Sequence, residues 1–419
     1  MASKPQRFCF CRQSTVQTNP ANNRPLHIFA VFTAFATMAL ICIGGLVTSR
    51  EAGMAVPDWP NTYGYNMFWF PFSKWVGGIF YEHSHRLTAA FVGFLTTILA
   101  IWLWARETNS KTRWLGVALI SAVILLMSAR KLPVFIGLAA LAPIAIGISI
   151  YQILRQPNQL RWYGVIAFSA VILQGVLGGL RVVLFKDQIG IFHATLAQLF
   201  FVLICAIALL TSKWWQNQQS IAPVSDRLNL LLLGTTLLIF SQLILGATMR
   251  HQHAGLAIPD FPLAYGKLWP AMDPASVTHY NQQRTEVTAV NPITAMQIGL
   301  QMTHRIIALL IFLAVASCAW TARRNVGKKH PLSRITLFWF SLICAQVILG
   351  AATIWSNKAA DIATAHVLIG ALSLATGAII TLVARRLPVP SRHFVTKVSA
   401  SATVLPNPQL ALQNTSGTL

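Results

Sequence analysis

Apolar positions along this chain gather into ten runs of about twenty residues, separated by polar, glycine-rich or proline-rich breaks. The runs predict helices over 26–49, 84–105, 114–129, 133–153, 161–181, 190–211, 228–249, 300–321, 335–355 and 362–384. Most match the ~20 residues that a helix needs to cross a bilayer; 114–129 is the shortest. Unbroken runs rather than alternating residues exclude a membrane β-barrel. The expected fold is an all-α polytopic membrane protein. At 55% hydrophobic and 10% charged residues, with mean hydropathy +0.58, a water-soluble chain of this length is excluded.

A net charge of +22 would otherwise raise nucleic acid as a partner. The charge is distributed by topology instead. Of the 32 Lys and Arg, 20 fall on the side of the N-terminus, among them Arg106, Lys111, Arg113, Arg323, Arg324, Lys328 and Lys329. By the positive-inside rule both termini are cytoplasmic, or on the equivalent mitochondrial side, and no nucleic acid is expected. Residues 1–25 read as a cytoplasmic leader and 385–419 as a disordered tail rich in Pro, Ser, Asn and Thr. Cys9 and Cys11 lie in the leader, and Cys42, Cys205, Cys318 and Cys344 within helices, so no structural disulfide is expected.

Between those ends the chain repeats itself. "AGMAVPDWPNTYG" (52–64) returns as "AGLAIPDFPLAYG" (254–266), identical at eight of thirteen positions. Each copy follows a helix ending in Gly-Gly or Gly-Ala and precedes a helix opening on His-Arg, in "EHSHR" (82–86) and "QMTHR" (301–305). The second helix pair of each half repeats as well. "QGVLGG" (174–179) matches "QVILGA" (346–351), and the returning helices carry "GIFHATLAQ" and "ATAHVLIGA". The halves are 26–211 and 228–384, joined by an inner linker at 212–227. The core of each motif, Pro-Asp-aromatic-Pro, places Asp58 and Asp260 as turn formers.

Four helices thus descend from the outer face, each with one histidine expected within two turns of its start: His85, His193, His304 and His366. A lone histidine near a helix end is ordinarily a capped or interfacial residue. Four in register, two per repeat, point to a site. Imidazoles facing across a four-helix bundle are a usual way to hold haem iron, and glycines at helix ends let the backbone approach a flat macrocycle. Arg86 and Arg305 directly follow two of the histidines and suit haem propionates; their plainer role is snorkelling to the interface. Zinc, which favours clusters of four ligands, fits histidines paired by half less well, and His83 stays ambiguous between site and surface.

These motifs together resemble the haem A synthase family, over about residues 25–384. The resemblance implies two pseudo-symmetric four-helix bundles and conversion of haem O to haem A, by successive hydroxylations of a ring methyl to a formyl group. It implies that His304 and His366 hold haem b as cofactor, that His85 and His193 receive haem O as substrate, and that Glu82 is the essential carboxylate. The residues favour the same asymmetry: Glu82 lies one turn before His85, whereas Gln301 stands at that place before His304. A helix-start acid is the plainer reading of Glu82. The partners implied are haem O, membrane lipid, an electron donor such as a ferredoxin, haem O synthase and cytochrome oxidase assembly factors. The implied location is the bacterial inner (cytoplasmic) membrane, multi-pass, with the mitochondrial inner membrane as the alternative.

Two features depart from the family. The outer loops lack the cysteine pair that many bacterial members carry. The first half is also longer: His85 to His193 spans 108 residues against 62 for His304 to His366. "TRWLGVALISAVIL" (112–125) recurs as "LRWYGVIAFSAVIL" (160–173), with nine of fourteen positions identical, so an inserted helical hairpin at about 112–155 accounts for the excess. It is expected to pack outside the haem bundle. The aromatic loop between Tyr63 and Tyr81 reads as an interfacial belt, or else as a lid over the substrate. Rival functions are a quinol-linked dihaem b-type electron-transfer protein, which would leave haem unmodified, and a repeat-built transporter, which would place its polar groups nearer the midplane.

Overall fold

The structure, a computed structural model, describes residues 24–129, 131–217, 224–284 and 292–386. The expected leader and tail, and with them Cys9 and Cys11, lie almost wholly outside the described residues. In chain order the helices are α1 Arg24–Ser49, α2 Gly77–Glu107, α3 Ser110–Ser128, α4 Leu132–Arg155, α5 Leu160–Leu184, α6 Asp187–Thr211, α7 Lys213–Asn217, α8 Asp226–His251, α9 Pro274–Gln282, α10 Ala295–Val326, α11 Pro331–Trp355 and α12 Ala360–Arg386. Among the described residues, ten of these are long and apolar enough to cross a membrane; α7 and α9 are the short ones.

Local chemistry fixes the ends. Asn109 caps α3 by accepting from the Thr112 amide, and Ser225 caps α8 by accepting from Leu228. Thr294 and Gln297 form a reciprocal capping box at the start of α10. Glu107, at the end of α2, accepts from the amides of Leu160 (2.9 Å) and Arg161 (3.0 Å), so α2 caps α5 with its own carboxylate. All ten long helices begin ahead of their apolar runs, α2 and α10 by the most. α2 starts at Gly77 rather than 84, and α10 at Ala295 rather than 300, because the polar stretches 82–86 and 301–305 interrupt the apolar runs without ending the helices, with Glu82, His83 and Gln301 buried inside them. His85 and His304 consequently fall in the third turns of their helices. His193 and His366 fall in the second, as expected.

Helices α1, α2, α5 and α6 pack in a closed order, each on two of the others, and α8, α10, α11 and α12 do the same. Leu99, Leu103, Ile204 and Ile207 fill the first set, and Leu228, Leu232, Val315 and Ile380 the second. Trp339 anchors the second core: it is fully buried, lies against Gly377, and donates from Nε1 to the Ser373 carbonyl at 2.8 Å. The halves meet where α12 packs on α1 and α6, and α6 on α8. Small Ala371 and Ala375 fit against Phe201 along that contact. At its outer end Arg250 donates to the Gly45 carbonyl and to Ser49 Oγ, both at 2.5 Å, while the Thr364 methyl sits on Gly45. The inserted hairpin lies outside the first set, α3 on α2 and α4 on α5. At 19 residues α3 reaches ~28 Å, just sufficient for the hydrocarbon core.

The two repeated outer loops fold alike. Asp58 accepts from the amides of Tyr63 (2.7 Å) and Gly64 (2.8 Å), and Asp260 from those of Tyr265 (2.7 Å) and Gly266 (2.8 Å), which makes both the turn formers expected. Gly64 and Gly266 take φ of +76° and +73°, a region costly for any residue with a Cβ. Both loops contain a cis proline, after Trp59 and after Phe261.

Trp339→Ala is expected to lower stability by about 3–5 kcal/mol through cavity formation. Thermal unfolding of the detergent-solubilised protein measures it, and an unchanged midpoint would contradict the packing described.

Candidate functional site

The four sequence-marked histidines come together in two pairs. His85 of α2 faces His193 of α6 with ring centres 6.5 Å apart, and His304 of α10 faces His366 of α12 at the same 6.5 Å. Two imidazoles that bind one metal from opposite sides through nitrogen bonds of about 2 Å have ring centres roughly 6 Å apart. In all four rings Nδ1 is buried without a hydrogen-bond partner, leaving Nε2 as the nitrogen available to a ligand. All four side chains are half-buried rather than closed off. No cluster of three or more His, Cys, Asp or Glu that would hold a free metal ion occurs among the described residues.

Each ring lies on a glycine of the preceding helix. A Cβ added to Gly44 would stand 2.9 Å from His85 Cε1; at Gly178 it would be 3.3 Å from His193, at Gly246 3.5 Å from His304, and at Gly350 3.2 Å from His366. The Gly-Gly and Gly-Ala helix ends noted in the sequence are therefore beds for imidazole edges. Side-chain amides steady the same turns: Gln174 donates to the His193 carbonyl (3.1 Å) and Gln242 to that of His304 (2.8 Å). Paired imidazoles, orphaned nitrogens and glycine beds fit a bis-histidine porphyrin iron at both places.

Glu82 is 3% exposed. One carboxylate oxygen accepts from the Val56 amide and the other from Arg86, both at 2.7 Å. It lies in the second turn of α2, inside the helix, so the helix-start reading does not describe it. Gln301 copies half of this arrangement by accepting from the Ile258 amide at 2.7 Å. The two arginines reach their outer loops. Arg86 donates to the carbonyls of Val56, Asp58 and Asn61 (2.7–2.9 Å), and Arg305 to those of Asp260 and Leu263 (2.7 and 2.8 Å). Both bind their outer loop to the helix that carries the histidine. Arg305 Nε is buried and unpartnered.

Three further side chains had weak or no sequence signal. His83 is fully buried beneath Phe70 and Trp75, and its Nδ1 meets Thr62 Oγ1 at 3.2 Å. It is a core residue of the aromatic loop, with Met302 at the equivalent place in the second half. Arg181 lies against Gly53 of the first outer loop, and His251 against Gly190 of α6. The loop over His83 also exposes Phe68, Trp69 and Phe72, in keeping with an interfacial belt.

The fold and these sites define a polytopic helical membrane protein with two paired-histidine centres. Residues 122–377 match the COX15-CtaA family, described as cytochrome oxidase assembly protein. That match covers more than half of the chain, which belongs to this family. Among similar proteins, one named "Heme A synthase" from Geobacillus kaustophilus is 24% identical over 392 residues, covering 91% of this chain and 99% of its own length. Another of that name from Halalkalibacterium halodurans is 23% identical, covering 87% and 98%. A third, from Bacillus cereus, is 25% identical, covering 80% and 86%.

Arg86→Leu removes the hydrogen bonds that close the first loop on α2. Amide exchange between Val56 and Gly64 is expected to accelerate about a hundredfold, as befits roughly 3 kcal/mol of charge-assisted bonding. Mass-spectrometric exchange that finds this segment as protected as in the parent would refute the anchoring role.

Proposed function

We propose that this chain is a haem A synthase built as two pseudo-symmetric four-helix bundles, oxidising a ring methyl of haem O to the formyl group of haem A. What carries the reading is one asymmetry between two similar sites: both offer an imidazole pair at 6.5 Å on glycine beds, but among the described residues the first has Glu82 one turn before its histidine where the second has Gln301. His85 and His193 would receive haem O, and His304 and His366 would hold haem b. Haem b, when bound, supplies one-electron transfer.

The chain's own residues orient and enclose. Arg86 and the Val56 amide hold the two Glu82 oxygens in fixed directions, which suits a group placed to stabilise positive charge developing at the reacting methyl. Gln301, isosteric but uncharged, keeps the loop contact in the second bundle without that electrostatic effect. Arg86 and Arg305, each directly after a histidine of a pair, are the side chains assigned to the propionates beside their loop contacts. The Nη donors of Arg86 are directed to the loop and to Glu82. The bacterial relatives suit a multi-pass protein of the bacterial inner membrane; the distribution of Lys and Arg favours both termini cytoplasmic, and the reaction needs an electron donor such as a ferredoxin. The reaction needs haem O from a haem O synthase, and the family description suits delivery of product to cytochrome oxidase assembly.

Glu82→Gln retains the acceptor for the Val56 amide, as Gln301 does for Ile258, so the protein is expected to fold and keep haem b. Haems extracted from cells that make haem O are expected to show haem A reduced about a hundredfold and haem O accumulated. Undiminished haem A would end the assignment of Glu82. Extracts of the parent protein holding two b haems and never a formyl porphyrin would mark it as an electron conduit instead.

A further inference from the structure

We propose that the inserted α3–α4 hairpin is a brace for the first site, and that Phe135 of α4 is a positioning residue for the reaction, acting through Trp59. The inference rests on the activity proposed above. α4 mostly faces outward, with Leu141, Ile144 and Leu154 exposed, yet Phe135 is 3% exposed. Its ring meets Trp59 with centres 4.5 Å apart. Trp59 belongs to the outer loop, directly after Asp58, whose carbonyl receives Arg86. The indole lies on Gly179, in contact with the backbone there. The next residue back, Gly178, is the bed of His193. One aromatic contact from the insertion therefore bears on both elements of the first site: the loop held by Glu82 and Arg86, and the helix end under His193.

The second half shows what this replaces. There Phe261, the counterpart of Trp59, is covered by Trp355 from the end of α11, with ring centres 6.1 Å apart and Trp355 Nε1 donating to the Phe261 carbonyl at 3.2 Å. Aligning "QGVLGG" with "QVILGA" puts Val183 of α5 where α11 has Trp355. The first half lacks its own aromatic cover, and the inserted helix provides one. A brace also needs a fixed far end. Trp104 of α2 lies on Gly116 of α3 and donates from Nε1 to the Thr112 carbonyl at 3.0 Å. Gly116 is the duplicate of Gly164, which packs on Ala100 and Leu103 of the same α2. The duplicated segment thus keeps its docking glycine while reaching the outer loop through Phe135.

The test uses full-length Phe135→Ala, Phe135→Leu, Phe135→Tyr and, as comparator, Leu138→Ala, one turn away on the same buried face. Each is purified from cells making haem O. Three quantities are read: the ratio of haem A to haem O in extracts, the haem b content, and the low-spin ferric haem signals in electron paramagnetic resonance. Expected for Phe135→Ala is at least a tenfold fall in the haem ratio, since small misplacement of reacting groups costs that much or more. The signal of the first site should shift while haem b and its signal stay unchanged; Phe135→Tyr should restore both, and Leu138→Ala should show neither change. A parental haem ratio in Phe135→Ala overturns the brace, and so does an equal fall in Leu138→Ala. If Phe135→Ala loses haem b as well, Phe135→Leu decides: proportional loss of both haems there means general destabilisation and overturns the proposal. A parent protein that forms no haem A defeats the proposed activity itself, an outcome separable from all of these.

Discussion

The arrangement turns on how closely an imidazole ring can approach a neighbouring helix. Four rings rest on four glycines; at Gly44, Gly178 and Gly350 a methyl group would collide or press hard, and at Gly246 it would just touch. Each such contact sets the axial register of a helix pair: α1 with α2, α5 with α6, α8 with α10, and α11 with α12. With four registers set in this way, the histidines of each pair face one another and the two pairs reach the same 6.5 Å separation. Hydrocarbon offers little force to drive helices together, so close backbone approach through small residues is the physical means available.

The outer loops extend that register into chemistry. In both halves a long polar side chain two turns into the helix accepts a loop amide, and an arginine one turn later gathers loop carbonyls. The scaffold needs only an acceptor at the first position, as Gln301 demonstrates. A buried carboxylate is dearer to desolvate than an amide, so its presence at Glu82 exceeds what holding the loop requires. The first site also carries an arginine at 181 where the second has Thr353, which adds to the difference in local charge.

Much of this was legible in the sequence. Ten apolar runs gave ten long helices, and the repeat located all four histidines, because helix periodicity and internal duplication are one-dimensional signals. Helix starts were less legible. The polar residues 82–86 and 301–305 break the apolar runs of α2 and α10, so the turns ahead of them read as loop although the helices continue through. The destinations of Arg86 and Arg305 were not legible at all, since loop carbonyls, unlike side chains, leave no mark in a sequence. Nor was the Phe135–Trp59 contact, which joins a duplicated segment to a motif 76 residues earlier. The mismatch of Trp355 with Val183 was its one visible trace.

The packed contact between the halves bears on how the proposed porphyrin substrate would get in. α12 closes the first set along α1 and α6, with Ala371 and Ala375 tight against Phe201. The α3–α4 pair screens the flank formed by α2 and α5. Two flanks stay open to hydrocarbon: α1–α2, where Phe32, Phe35, Phe91 and Phe94 face outward, and α5–α6, where Phe192 and Leu199 do. On the proposed reading, a molecule diffusing sideways out of the bilayer would have fewer seams to slip through than a free-standing bundle offers.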